Sequence, residues 1–133
     1  MMIEKVIGKN RDWLYAVFRI AAGFLFFSHG AQKLLGWFGG TAMWGNGQMV
    51  TAGLIEFIGG LLILAGLFSR LAALASFLLM IAAYFIAHAG NGIWPIVNKG
   101  ELAILYAAAF LVVLVYGNGK ASVEKALLKK EHF

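Results

Sequence analysis

Four apolar runs follow one another along the chain, at residues 13–35, 49–68, 71–89 and 100–116. Each is continuous in character, with none of the alternation of a half-buried strand. Crossing the hydrocarbon layer takes roughly 20 residues of helix, and shorter spans occur. Lipid offers no hydrogen bonds, so a crossing segment must pair its own backbone groups, as a helix does. The pattern predicts an all-α membrane protein. Its architecture is a four-transmembrane-helix antiparallel bundle occupying residues 1–133 as one domain. Only a few residues around Ser69 and Arg70 part the second run from the third, which predicts a tight hairpin. The first run lacks a small-residue cleavage site after a short core, so it reads as a retained span.

The cations give the spans a direction. Lys5, Lys9 and Arg11 flank the first run, Lys120, Lys125, Lys129 and Lys130 follow the last, and Arg70 sits in the second turn. Residues 36–48 carry no charge, and residues 90–99 carry only Lys99. Positive charge marks the cytoplasmic side, so both termini are expected in the cytoplasm. Trp37, Trp44 and Trp94 then fall in outer loops and Trp13 at the inner boundary, where indoles favour the headgroup level. Ala16, Gly23 and Gly30 recur every seven residues, as do Ala52, Gly59 and Gly66. Each set predicts a smooth stripe for close helix contact. Glu56 shares the second stripe. At the ends, Ile3, Val6 and Ile7 share a helical face, and Ser122 can cap a short helix carrying Val123, Ala126 and Leu127. These tails read equally as interfacial helices or as frayed basic ends.

Composition narrows the function classes. The chain has 133 residues, 62% of them hydrophobic, leaving no room for a soluble catalytic domain beside the spans. Its net charge of +5 lies at membrane flanks without a basic-aromatic motif, so the expected partner is the lipid bilayer, with no nucleic acid. There is no cysteine. Disulfide exchange, thiolate catalysis, Fe–S ligation and covalent haem attachment by this chain are thereby excluded.

The chemistry that remains is polar groups within apolar runs. Glu56 lies ~9 Å along the second helix from its start, too deep for an interfacial cap. Intramembrane carboxylates are costly and usually mark a working site. His29, Gln32, Lys33, Glu56, His88 and Glu101 come from all four runs and fall in the same, outer half. The inner half offers Arg19, Ser76 and little else, with Arg19 expected to snorkel to the interface. Lys33 is expected to pair with one carboxylate, because an unpaired charge there is expensive. Such a set has the parts needed to bind and protonate a quinone. Glu56 and His29 would handle protons, and Lys33, Gln32, His88 and Glu101 would complete a polar rim. Phe26, Phe27, Phe57, Tyr84 and Phe85 would wall the ring and tail. The plain alternative is a polar clamp that locks the helices. Glu101 would then only complement a helix dipole, and His88 would cap a helix end. His29 and His88 lack metal-ligand spacing, so no metal site is expected and haem is disfavoured.

Taken in order, these residues resemble the DoxX family of small four-helix membrane proteins. The first run reads RIAAGFLFFSHGAQKLLGWFGG, with Arg19, Gly23, Phe26, His29, Gly30, Gln32 and Lys33 carrying the likeness. The second reads IEFIGGLLILAGLFSR, with Glu56, Gly59, Gly60, Leu64, Gly66 and Arg70. His88, Glu101 and a glycine-rich tail continue it. The tail departs from the family's G-P-G-x-x-S-x-D by Asn118 and Glu124. The resemblance implies a bacterial or archaeal inner-membrane protein. One branch is similar to the DoxD subunit of thiosulfate:quinone oxidoreductase, and other members are associated with redox or oxidative-stress partners. The resemblance thus implies a non-covalently bound quinone, a redox-protein partner and quinone-linked oxidoreductase chemistry. A homodimer is compatible with the lipid-facing surface. Two rivals stand beside this reading: a non-catalytic anchor or assembly partner of a redox complex, and a small transporter or proton pathway. The unadorned inner half argues against the second.

Overall fold

The computed structural model describes residues 1–130, which form helices and no strand. Helix α1 is Met2–Leu35 and α2 is Gly47–Ala65. Helix α3, Ser69–Ala83, continues through a π-helical turn, Tyr84–His88, into a 3₁₀ turn, Ala89–Asn91. Three short or final elements follow: α4 (Pro95–Asn98), α5 (Glu101–Tyr116) and α6 (Val123–Leu128). Met2–Leu35, Gly47–Ala65 and Ser69–Asn91 are long and apolar enough to cross a membrane. Helix α5 is equally apolar but has 16 residues, about 24 Å of rise. Helix α1 starts eleven residues before the expected first span, because the tail continues the helix without a break. The tight hairpin falls slightly earlier than expected. Gly66 (φ 71°) and Phe68 (φ 49°) make the left-handed turn, and Ser69 and Arg70 already belong to α3.

Backbone contact between α1 and α2 organises the fold. A Cβ on Gly23 would lie 2.4 Å from the Leu64 nitrogen, one on Gly30 2.3 Å from that of Phe57, and one on Gly60 2.3 Å from that of Phe27. No side chain could yield at such points, so these helices touch main chain to main chain. The α1 stripe is the expected Gly23–Gly30. On α2 the partners are Gly53 and Gly60, one position beyond the expected stripe, while Gly59 instead faces Ser76 of α3. Helix α3 packs against α5. Phe26, Ile63, Ala73, Phe110 and Val113 fill the buried middle.

Each end of the helices is closed by its own polar network. At one end, the last carbonyls of α1 find partners in the following loop. Gly36 N–H reaches Gln32, Met43 N–H donates to Lys33 (2.8 Å), and Trp44 Nε1–H donates to Leu34 (2.8 Å). Asn46 then caps α2 through its side-chain oxygen. At the other end Arg19 is fully buried. It does not snorkel, as its depth alone led us to expect. Its guanidinium donates to the carbonyls of Asn118, Lys120 and Ala121, all in the segment after α5, and weakly to Leu64. Arg70 donates to Leu114 and Val115, near the C-terminus of α5. Ser122 caps α6 as expected, but Glu124 turns inward, completely buried. Its carboxylate accepts from Phe68 N–H (3.2 Å) and Asn118 Nδ2–H (2.6 Å), and Asn118 Oδ1 accepts from Ser69 N–H (3.2 Å). The tail thereby satisfies the first amides of α3, where a carboxylate also complements the helix dipole.

Two stability predictions follow from these contacts. Gly30→Ala or Gly60→Ala should cost roughly 1–3 kcal/mol, the usual penalty of overpacking. Gly8→Ala, which meets nothing within 4 Å, should be neutral. Unfolding midpoints in detergent would compare them, and equal midpoints would contradict main-chain contact. Asn118→Ala removes the tail's bond to Ser69 N–H and the amide that steadies the Glu124 carboxylate, and should cost about 1–3 kcal/mol. Limited proteolysis should then cut after Tyr116 first.

Candidate functional site: a cavity at the loop end of the helices

Glu56 lies midway between Gly53 and Gly60, three residues from one and four from the other. Those glycines draw α1 close, and Lys33 spans the remaining gap. Its Nζ lies 2.7 Å from Glu56 Oε1 and 2.6 Å from Oε2. The carboxylate side chain is 6% exposed and the lysine's 23%. A carboxylate this deep is tolerable because a cation bonds both of its oxygens. The loop also contributes: Met43 fastens the carbonyl of Lys33, holding the last turn of α1 in place.

His29 stands four residues before Lys33, on the same face of α1. Its ring meets Tyr106 of α5 edge-on, at 5.9 Å between centroids. Tyr106 is buried and leans on Phe26 and Phe110. His88 arrives from the π-helical turn. Its Nδ1 lies 3.1 Å from the Asn98 carbonyl. A carbonyl only accepts, so Nδ1 carries the proton and Nε2 is left as the second ring nitrogen for other partners.

A cavity of about 630 Å³ joins these groups. His29, Lys33, Glu56, His88, Tyr106 and Lys99, with Gln48 and Thr51, supply its polar lining. Phe26, Leu79, Met80 and Ala103 give it apolar walls. It reaches the surface, since Gln48, Ile86 and Leu102 on its lining are exposed. Four of the six polar residues expected in the outer half, His29, Lys33, Glu56 and His88, therefore line one cavity. Gln32 and Glu101 do not line the cavity. Gln32 donates to the Phe38 carbonyl (3.2 Å) beneath Gly40 and so braces the loop. Glu101 is the exposed first residue of α5, where its charge suits the helix dipole.

Three contributors went unrecognised in the sequence. Tyr106 belongs to a buried stripe, Ala103, Tyr106, Phe110 and Val113, whose heptad spacing was readable. It was masked because α5 is apolar all round. Asn98 is 3% exposed and ties the third loop together. Its amide donates to Tyr84 Oη and the Gly92 carbonyl, both at 3.0 Å, and its side-chain oxygen accepts from Gly100 N–H at 2.8 Å. The sequence Asn-Lys-Gly before a helix is a turn signal, and that was the available clue. Lys99 follows in a left-handed conformation (φ 62°) and lines the cavity.

The comparisons with known proteins give the chain its family. The DoxX family model matches residues 14–89, a stretch that contains Arg19, His29, Lys33, Glu56 and His88. An uncharacterized protein of Haemophilus influenzae is 36% identical over 129 residues, covering 92% of this chain and 96% of the relative. No solved structure matches the chain. With the family model matching more than half of its length, and with helices apolar enough to span a bilayer, the chain is an integral membrane protein of the DoxX family.

Proposed function

We propose that this protein binds a quinone or a quinone-like lipid in the cavity between α1, α2, α3 and α5, and serves membrane redox chemistry there. The observation that carries this reading is the composition of that cavity. An apolar chamber of about 630 Å³ holds the Lys33–Glu56 pair, its carboxylate buried and its ammonium partly exposed, with His29, Tyr106 and His88 around it. Ligand pockets of a few hundred to a thousand Å³ commonly pair apolar walls with few polar groups in this way. A quinone needs donors at its two carbonyl oxygens and an apolar berth for its isoprenoid tail. Lys33, His29 and Tyr106 are the donors, and Glu56 with His29 form the proton route. A chain without cysteine leaves the two electrons to a redox partner protein. In this reading α5 completes the crossing as a fourth span of an antiparallel bundle. Both basic ends face the cytoplasm of a bacterial or archaeal cell, and the cavity opens in the outer half. Homodimerisation through lipid-facing surfaces is compatible with it.

The transmembrane pathway has less support. Between the cavity and the Arg19 network lie Phe26, Ile63 and Phe110, each at most 1% exposed, and the one hydroxyl at that depth among the described buried side chains, Ser76, bonds to no other group and so forms no relay. The structural anchor is the stronger rival, because the Lys33–Glu56 pair joins α1 to α2 whatever else it does.

His29→Phe keeps a ring against Tyr106 and removes the imidazole. It should weaken binding of a short-chain ubiquinone analogue roughly tenfold, the worth of one hydrogen bond to a polar site. Glu56→Gln should abolish quinone-linked turnover in membranes while the protein stays folded. Unchanged quinone affinity in both variants would leave the anchor reading in possession. Stability gives a separate check on the pair. Lys33→Met strands a buried carboxylate and should cost about 3–5 kcal/mol. Glu56→Gln should cost less, since Lys33 is partly exposed and can turn towards water.

A further inference from the structure

A second cavity, of about 700 Å³, lies at the opposite end of the helices. One wall is α1, through Arg11, Asp12 and Tyr15. The other is the chain after α5, through Tyr116, Lys120 and Lys125. Among the described residues of its lining three cations stand with one carboxylate. The two walls are more than a hundred residues apart in sequence, and their pairing is fixed from within. Tyr15 donates to the Gly117 carbonyl at 2.5 Å, and Arg19 holds the carbonyls of Lys120 and Ala121. The recess is thus built by the fold and does not depend on the long lysine side chains alone.

Its depth in the bilayer is also marked. Trp13, 54% exposed, stands beside it with Lys120 Nζ 5.4 Å from the centre of its ring. Exposed indoles settle at the level of lipid headgroups, and Tyr15 and Tyr116 have the same amphipathic character. Arginine and lysine at that level meet phosphate, with arginine able to bond two oxygens at once.

We propose that this recess is a binding site for the phosphate headgroup of an anionic glycerophospholipid. The lipid bridges the start of the membrane-embedded part of α1 to the tail segment. Its headgroup phosphate sits among Arg11, Lys120 and Lys125, and its acyl chains run along the apolar surface of α1 beyond Trp13. Occupancy would reinforce the junction that Arg19 makes beneath it, so the lipid acts as a staple on the end of the fold opposite the quinone cavity. This inference is independent of what that cavity binds.

The test uses the purified full chain in neutral detergent, titrated with short-chain phosphatidylglycerol, short-chain phosphatidylcholine or inorganic phosphate. The expected result is a rise of the unfolding midpoint with phosphatidylglycerol only. Lys120→Gln with Lys125→Gln should lower that lipid's affinity about twenty-five-fold, taking a fivefold loss for each cation at the headgroup level. Lys5→Gln with Lys9→Gln removes the same charge from the exposed start of α1, outside the recess, and should leave affinity nearly unchanged. Arg11→Gln, on the other wall, supplies an independent variant with about a fivefold loss. Equal losses from the Lys5/Lys9 pair would replace the site by diffuse surface charge. An equal response to inorganic phosphate would make it a free-anion site, and no response to phosphatidylglycerol would overturn it outright.

Discussion

The contact of α1 with α2, main chain against main chain, is the constraint on which the rest depends. Gly23 and Gly30 meet Gly60 and Gly53 in antiparallel register, each pair separated by seven residues on its own helix. That register decides which side chains face one another. It leaves Glu56 within reach of Lys33, with both carboxylate oxygens bonded to one ammonium group. It also leaves the Leu64 carbonyl close to Arg19, at the other end of the same interface. A side chain larger than hydrogen at Gly23, Gly30 or Gly60 would separate the helices. The ion pair and the arginine network would then loosen together, since one seam carries both.

The two ends of that seam are satisfied by different chemistry. At the cavity end a cation meets a carboxylate, and the surrounding space is large enough for a ligand. At the far end a buried arginine meets backbone carbonyls, and the space around the guanidinium is filled by the returning tail. Carbonyl cages fix a cation through geometry and leave little room for rearrangement. Between them the middle is packed with Phe26, Ile63, Phe110 and Val113, and the fully buried Ser76 of α3 faces Gly59 there. The Ser76 hydroxyl finds no hydrogen-bond partner there, and a charged group at that depth would cost far more, which favours keeping the two charged clusters apart.

How much of this was legible in the chain follows from what side chains encode. The apolar runs, the helical class and the pairing of Lys33 with a carboxylate were readable, because span length and charge compensation act on residue identity; that the partner is Glu56 and not Glu101 comes from the structure. The tail's capping serine was readable for the same reason. Arg19 was misread. Depth along a helix suggests snorkelling, but its partners are main-chain carbonyls of residues 118, 120 and 121, and any sequence supplies carbonyls. Glu124 reads as a solvated tail residue until the tail is seen folding back on the α2–α3 turn. The α2 stripe was placed one residue early because Ala52, Gly59 and Gly66 repeat as regularly as Gly53 and Gly60. Periodicity identifies a face of small residues but cannot choose between adjacent registers. Gln32 and Glu101 lie at the right depth yet turn to the loop and to solvent, a difference of azimuth that depth arguments omit.

The cavity's walls differ in construction, and the difference bears on how it accepts a ligand. The α1–α2 wall is held by glycine contacts, the Lys33–Glu56 pair and a loop that satisfies the last α1 carbonyls. The α3–α5 wall departs from regular helix where it lines the cavity. It passes through the π-helical turn Tyr84–His88, then a 3₁₀ turn, then a loop whose polar groups converge on the single side chain of Asn98. π-helical turns recur at functional sites, where an extra residue re-aims the side chains around it. Here that turn carries Ile86, Ala87 and His88 onto the lining, and Asn98 holds it to the start of α5. A fixed charged wall can therefore define where a polar head sits. The wall with irregular backbone is the one whose shape can be altered by a few residues without disturbing the α1–α2 seam, and ligand preference within this architecture belongs to it.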